Sequence, residues 1–230
     1  SYTNGLDKPS DYFTTKLYAG NSTGSTQQAI TGLDFSPNMV WIKPRSDAEK
    51  HSIADTVRGA TKTIHPHLAD AEETSAGHMV SFDANGYTVG VDNYSWNKNG
   101  STYASWNWKA GGSASTNENG SITSSVSANQ DVGFSIVSYT GNATDDATVG
   151  HGLSSAPQMV ITKSRGDAGA WQVLTNIYTS YSEGDYIALN TTGAKANSAN
   201  VSFVPTSTTW QMKSGQAGNT SSTKIAYCFH

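Results

Sequence analysis

One stretch of this chain recurs about 120 residues further on, and that repetition limits the possible folds more than any other feature. Residues 11–21 read DYFTTKLYAGN and residues 132–142 read VGFSIVSYTGN. After a polar gap, residues 36–48 read SPNMVWIKPRSDA and residues 156–168 read APQMVITKSRGDA. Phe13, Tyr18, Gly20 and Asn21 thus match Phe134, Tyr139, Gly141 and Asn142, while Met39, Lys43, Arg45 and Asp47 match Met159, Lys163, Arg165 and Asp167. Each copy closes on an alternating aromatic run, WNW at 106–108 and YCF at 227–229. A repeat of this length makes each copy a structural unit of its own. The expected division is therefore residues 1–112 and 113–230, with the glycine-rich stretch AGGSASTNENG (110–120) as the connection.

Within each copy the apolar residues alternate or cluster in short runs bounded by Gly, Asn, Asp and Ser, and no window carries helical periodicity. Strands are expected over 13–18, 39–43, 51–55, 79–82, 86–91 and 103–109. In the second copy they are expected over 122–126, 133–139, 158–163, 171–174, 186–189, 201–203, 209–212 and 224–229. Short strands with glycine and asparagine turns predict an all-β fold: two tandem antiparallel β-sandwiches of the jelly-roll or lectin kind. Each half is expected to bury its own aromatic layer between facing sheets.

Composition excludes several functions. Charged residues are only 14 % of the chain and the net charge is −4, with no cluster of Lys and Arg to follow a phosphate backbone, so no nucleic-acid partner is expected. No run approaches the roughly 20 apolar residues that cross a bilayer, so no membrane insertion is expected. No charged-then-apolar leader opens the sequence, which suits a chain whose leader was removed or one released by lysis. The single cysteine, Cys228, sits in an apolar strand and reads as a buried thiol.

Four passages carry a resemblance: GLDFSPNMVWIKPR (32–45), DTVRGATKTI (55–64), SFDANGYTVG (81–90) and the long run from 133 to 165. Together they resemble a tandem β-rich repeat of unassigned function from virion proteins of tailed bacteriophages, chiefly marine ones, of the tail-fibre-like or concanavalin-like kind. The resemblance covers nearly the whole chain. It implies a module on the virion exterior, hence extracellular, that associates with itself or with other virion proteins. It brings no catalytic residues to carry over. The second copy departs from the pattern, because it lacks Arg58-Gly59-Ala60 and has residues 178–184 in that place.

The strongest single-copy feature is VDNYSWNKNGS (91–101). Tyr94 and Trp96 among Asn93, Asn97 and Asn99 predict a sugar-binding loop, since an aromatic face stacks on a pyranose and amides match its hydroxyls. The competing reading folds Trp96 back onto its own sandwich or into a subunit contact. His65 and His67 with Asp70, Glu72 and Glu73 offer ligand types that zinc accepts, but without a second pair at structural spacing; no metal or other cofactor is expected. Asp83 with Asn85, and Asp145 with Asp146, lie in turns but do not match a calcium loop. His151 in VGHGL suits a bond to turn backbone. Arg165-Gly166-Asp167 is matched by Arg45-Ser46-Asp47, so a scaffold turn is expected there. No nucleophile elbow, P-loop or paired carboxylates suggest catalysis. The function expected is a non-catalytic attachment module, in a tail fibre or appendage, that binds host-surface carbohydrate. The alternatives are a capsid or tail decoration subunit without glycan binding, and a polysaccharide depolymerase.

Overall fold

A computed structural model of the chain describes residues 8–91, 94–177, 182–214 and 218–230. Among these the only helical piece is a single 3-10 turn at Pro9–Asp11; the rest is strands and turns. The chain falls into two compact units. One contains the described residues up to Pro66 and Glu72–Gly112; the other contains His67–Ala71 and Ser113–His230.

In the first unit, β1 (Phe13–Ala19), β3 (Met39–Pro44), β4 (Ser52–Asp55) and β9 (Thr102–Trp108) form a sheet in the order β1-β9-β3-β4. Facing it, β2 (Gln28–Thr31), β7 (Met79–Asp83) and β8 (Gly86–Val89) form a sheet in the order β2-β8-β7. A short pair, β5 (Lys62–Thr63) and β6 (Glu73–Thr74), flanks β4 through the Ile53–Ile64 bridge. The core between the two sheets is Ile30, Leu33, Val40, Ile42, Ala54, Met79, Tyr87, Val89, Trp96 and Tyr103. β-branched and aromatic residues on facing strands supply most of it, as pleated half-buried surfaces favour.

The second unit repeats this order. β12 (Phe134–Thr140), β20 (Thr223–Phe229), β14 (Met159–Ser164) and β15 (Gln172–Thr175) run as β12-β20-β14-β15, opposed by β13 (Ala147–Gly150), β19 (Thr209–Met212) and β18 (Val204–Pro205) as β13-β19-β18. Registers agree as well: Phe13 and Met39 flank Trp108, while Phe134 and Met159 flank Phe229. The main sheet is extended at one edge by β11 (Ser124–Asn129) and β10 (Ser115–Asn117), and at the other by β16 (Asp185–Ala188) and β17 (Ala196–Asn197). Its core includes Tyr139, Val149, Phe203, Trp210, Met212 and Cys228.

Four details differ from the expected strands or add to them. The closing strand β9 alternates as the sequence indicates, yet the face turned inward is Tyr103, Ser105 and Asn107, all buried, whereas Trp106 and Trp108 are half-buried on the other face. The inward choice lets the Tyr103 ring stack on Tyr18 at 4.8 Å and its hydroxyl bond the loop above. The stretch 110–120 is not a bare connection, because Ser115–Asn117 pairs with β11. Strands β2 and β13 fall in the polar gaps, where one or two apolar residues suffice because β8 and β19 supply the pairing surface. At 201–203 no strand forms; the pairing there begins at Val204.

Cys228 is fully buried in β20, and burial pushes its thiol up to about 12. Treated at pH 8 with a colorimetric disulfide reagent, native protein is expected to consume none and denatured protein one equivalent. Rapid reaction of the native protein would contradict this packing.

Candidate functional site

The loop between β8 and β9 was the leading candidate for a sugar site, and its described residues form a clamp. Trp96 is fully buried in the sandwich core, with its ring stacked on His78 at 5.8 Å and 17°. Asn97 is fully buried too: its Oδ1 accepts the Asn21 N–H at 2.9 Å, and its Nδ2 donates to the carbonyls of Gly90 at 2.9 Å and Thr26 at 3.1 Å. The Tyr18 hydroxyl donates to the Trp96 carbonyl at 2.7 Å, and the Tyr103 hydroxyl donates to that of Tyr94 at 2.7 Å while accepting the Lys98 N–H at 2.8 Å. A side chain at Gly20 would collide with the Lys98 carbonyl, so the approach of loop to β1 requires glycine.

These contacts take Trp96 and Asn97 out of the expected site. Trp96 has no face to offer a pyranose and the Asn97 amide is fully committed to backbone groups. Tyr94, 53 % exposed, and Asn99, also exposed, remain at the surface, and Asn93 lies outside the described residues. The second unit holds the same clamp. Asn219 Oδ1 accepts the Asn142 N–H at 2.9 Å, its Nδ2 donates to the Thr144 carbonyl at 2.6 Å, and the Tyr139 hydroxyl donates to the Gly218 carbonyl at 2.8 Å. The signal that identifies Asn97 as scaffold is thus in the sequence: Asn21 and Asn97 recur as Asn142 and Asn219. Trp96 has no such signal, because Gly218 stands in its place and Trp210 fills the second core instead, edge-on to Tyr139 at 5.9 Å.

The Arg58 element of the first unit is a buried ion network. Arg58 Nε donates to Asp55 Oδ2 at 2.5 Å, Nη1 to Glu72 Oε2 at 3.2 Å and Nη2 to the Ile53 carbonyl at 3.1 Å. Beside it, His65 Nε2 lies 2.7 Å from Glu73 Oε1, and Ser52 Oγ lies 3.4 Å from His65 Nδ1. A hydroxyl, an imidazole and a carboxylate therefore stand in line, the order a hydrolase uses. Ser52 is nevertheless fully buried, and His65 Nδ1 sits closer to the His51 carbonyl, at 2.7 Å, than to the hydroxyl. A nucleophile must reach substrate, and this hydroxyl does not. His67 is exposed and belongs to the other unit, so the two histidines share no ligand set; among the described residues no group of three His, Cys, Asp or Glu could hold a metal.

The acidic turns are similarly engaged. Both Asp83 oxygens accept hydroxyls, from Ser81 at 2.7 Å and Thr88 at 2.8 Å. Asp145 accepts the Ser214 N–H at 2.8 Å, which holds its carboxyl below the usual range, and Asp146 accepts from Gln211 at 2.6 Å and from Lys213. The Arg-x-Asp turns are scaffold in both units, but the group that binds their carbonyls is lysine: Lys43 Nζ donates to Pro44 and Asp47 carbonyls at 2.6 and 3.2 Å, and Lys163 Nζ to those of Ser164 and Asp167 at 2.7 and 3.1 Å. Burial, reinforced by nearby Lys224, brings the Lys163 amine down to about 8. His151 is fully buried, takes the Leu153 N–H on Nδ1 at 3.1 Å and faces the Thr206 carbonyl with Nε2 at 3.2 Å. That pair of partners fixes the neutral Nε2–H tautomer.

One feature went unread in the sequence. A polar cleft of about 320 Å³ opens in the second unit, lined by Ser182, Glu183, Gly184, Asn197, Ser198, Ala199, Val201 and Lys213. Its walls are the turn before β16 and the turn after β17. The Gly184 carbonyl accepts the Ser198 N–H at 3.0 Å, and a side chain at Gly184 would come within 2.5 Å of the Ser198 carbonyl. Glu183 Oε1 accepts the Ser202 hydroxyl at 2.8 Å, which orients the carboxylate. Behind the wall, Asp185 is buried between Lys195 at 2.6 Å and Asn197 at 2.9 Å, and these partners lower its pKa, Lys195 foremost. The cleft can thus present a carboxylate, an ammonium, an amide and two hydroxyls to a ligand rich in hydroxyl groups.

Residues 8–230 match the family described as Domain of unknown function (DUF7483), and the chain belongs to it. No curated protein and no solved structure matches it.

Two expectations follow from the clamp and from His151. Trp96→Ala should cost about 3–5 kcal/mol and lower the melting temperature markedly, while Tyr94→Ala should stay within about 0.5 kcal/mol of wild type in the same denaturant titration. Burial holds the His151 pKa below its ordinary 6.5. A depressed histidine contributes stability above its unfolded pKa that is lost as pH falls through the folded value. Stability should therefore fall on acidification below about 6.5, and His151→Gln should flatten that part of the profile; an unchanged slope in the variant would contradict the assignment.

Proposed function

We propose that this member of the family is a non-catalytic attachment module on the exterior of a tailed-phage particle, holding host-surface carbohydrate in the polar cleft of its second unit. The observation that supports this reading is the cleft itself. It has room for about one or two sugar rings, and its lining offers donors and acceptors in the mixture that sugar hydroxyls require. The described residues of the first-unit loop play a different part: with Trp96 and Asn97 committed to the clamp, Tyr94 and Asn99 are the ones exposed. Weak individual sites are enough for such a role, because many copies on one particle multiply modest affinities into stable attachment.

Cleavage of the bound glycan is not part of the proposal. A glycosidase sets two free carboxyl groups roughly 5 to 10 Å apart. Of the carboxylates around the cleft, Asp185 is buried and held by Lys195 and Asn197, and Asp146 is held by Lys213 and Gln211. The competing structural reading, a decoration subunit without glycan binding, is favoured by one observation: the stacking platform expected at Trp96 is absent from the surface.

A glycan array probed with multivalent wild-type protein, Glu183→Ala and Tyr94→Ala separates these roles. Loss of a hydrogen bond to a charged group costs about 1.5–3 kcal/mol, so Glu183→Ala should weaken binding by about 10- to 100-fold, and Tyr94→Ala, a change in the other unit, should leave it unchanged. Capsular polysaccharide incubated with the protein should release no reducing ends. Absence of any array signal for the wild type would remove the attachment role and leave the decoration role.

A further inference from the structure

The polar cleft of the second unit has charges that are matched and one that is not. Its lining ammonium, Lys213, donates to Asp146, which also takes the Gln211 amide at 2.6 Å. The Asp146 bond foremost, with Asp145 and Glu183 behind it, holds that ammonium above its ordinary pKa. Asp185, behind the wall, is matched in the same way by Lys195 at 2.6 Å.

Glu183 is the exception. Among the described residues its carboxylate meets a single donor, the Ser202 hydroxyl on Oε1 at 2.8 Å, and Oε2 takes none. Asn197 adds a second open acceptor. A carboxylate only accepts, so the Asn197 Nδ2 must face Asp185 Oδ1, at 2.9 Å, and the Asn197 Oδ1 is left without a donor. Both residues are exposed in the lining of the cleft. The hydroxyls of Ser182 and Ser198 can donate or accept, and Ser198 Oγ already accepts the Asn200 N–H at 3.2 Å. The charges lean the same way. Glu183, Asp145, Asp146 and Asp185 are negative around the cleft, against the positive Lys195 and Lys213.

We propose that the ligand of the cleft is an amino sugar with a free amine, a hexosamine whose ammonium sits on Glu183 Oε2 and whose hydroxyls meet Asn197, Ser182 and Ser198. This rests on the reading of the cleft as a carbohydrate site and gives that site its ligand class. An ammonium brings donors and no acceptor, which is what two open acceptors require. Bonds between charged groups are about twice as strong as neutral ones, so an amine outranks a hydroxyl in the same place. A uronic acid or a phosphorylated sugar sets a second anion beside Glu183 and is rejected. A lysine side chain also ends in an ammonium, but its apolar stem would find only Ala199 and Val201 as apolar side chains in the lining. A sugar ring carries hydroxyls along that length instead.

The test uses a glucose series and a galactose series, each as the neutral hexose, the amine, the N-acetylated amine and the uronic acid, coupled at equal density to one polymer. Wild type should hold the amines about tenfold more tightly than the neutral and N-acetylated sugars, and the uronic acids least. Glu183→Gln keeps the shape and loses the charge, and should bring amine and neutral sugar to within about twofold of each other. Raising the salt from about 0.05 to about 0.5 M should erode the lead of the amine and leave the neutral sugars unchanged. Lys213→Met, checked for folding by thermal melting, should keep the amine preference. Loss of amine binding in that folded variant would make Lys213 the anchor and overturn the proposal. So would an amine preference that persists in Glu183→Gln, binding that EDTA abolishes, or a lysine oligomer that competes as well as the hexosamine polymer. Equal binding of all the sugars, or binding confined to other glycans of the array, overturns the amine and leaves the carbohydrate reading standing. Silence from these polymers and from the whole array removes both.

Discussion

A tyrosine hydroxyl and an asparagine amide, both reaching backbone groups, fix each unit of this protein. Tyr18 with Asn97, and Tyr139 with Asn219, tie the loop before the closing strand to the start of the loop after β1 or β12. Each bond is modest alone, about 1 kcal/mol net, but the groups are buried, and leaving one unpaired would cost the whole desolvation penalty. The clamp therefore permits one loop path. That path delivers the chain to the head of β9 or β20, the strand that lies between two neighbours in its sheet. Register follows from it, and with register goes the choice of which face is buried. Gly20 and Gly141 belong to the same device, since a side chain at either would strike the carbonyl of Lys98 or Thr220.

Much of this was legible in the sequence. The paired Tyr-x-Gly-Asn and Lys-x-Arg-x-Asp elements mark positions where both units use one solution, and the structure gives those residues matching partners: Lys43 and Lys163 bond carbonyls at the same two offsets. Alternation placed most of the long strands to within a residue or two; β11, expected over 122–126, runs Ser124–Asn129. What escaped was set by neighbours distant in sequence. β2 and β13 carry little pattern of their own and exist because Tyr87 and Trp210 lie on the strands beside them. The inward face of β9 was not legible either, because both of its faces carry aromatics and only the stacking of Tyr103 on Tyr18 decides between them.

The expectation that Trp96 faces a ligand has a physical cause. Asn-rich loops with an aromatic look alike whether the aromatic points out or in, and a residue found in only one copy looks free of structural duty. Trp96 is neither exposed nor free. The first core holds Tyr87 and Trp96 where the second holds Trp210, Gly218 and Met212, whose sulfur would lie 3.4 Å from a side chain added at Gly218. Close-packed interiors conserve volume rather than identity. A difference between copies that is balanced by an opposite difference nearby therefore reports packing.

Unbalanced differences are the informative ones. The Arg58 network of the first unit is unmatched, but its Arg58 and Asp55 side chains are fully buried and satisfied by Glu72 and the Ile53 carbonyl, so it consolidates one end of β4. Another difference reaches the surface without compensation: the pair of turns around Gly184 and Ser198, which opens a polar cleft. The clamp holds without it. A scaffold used twice keeps the same interior in both places; what its two copies do differently must lie where they differ at the surface, and among the described residues one such place is the cleft of the second unit.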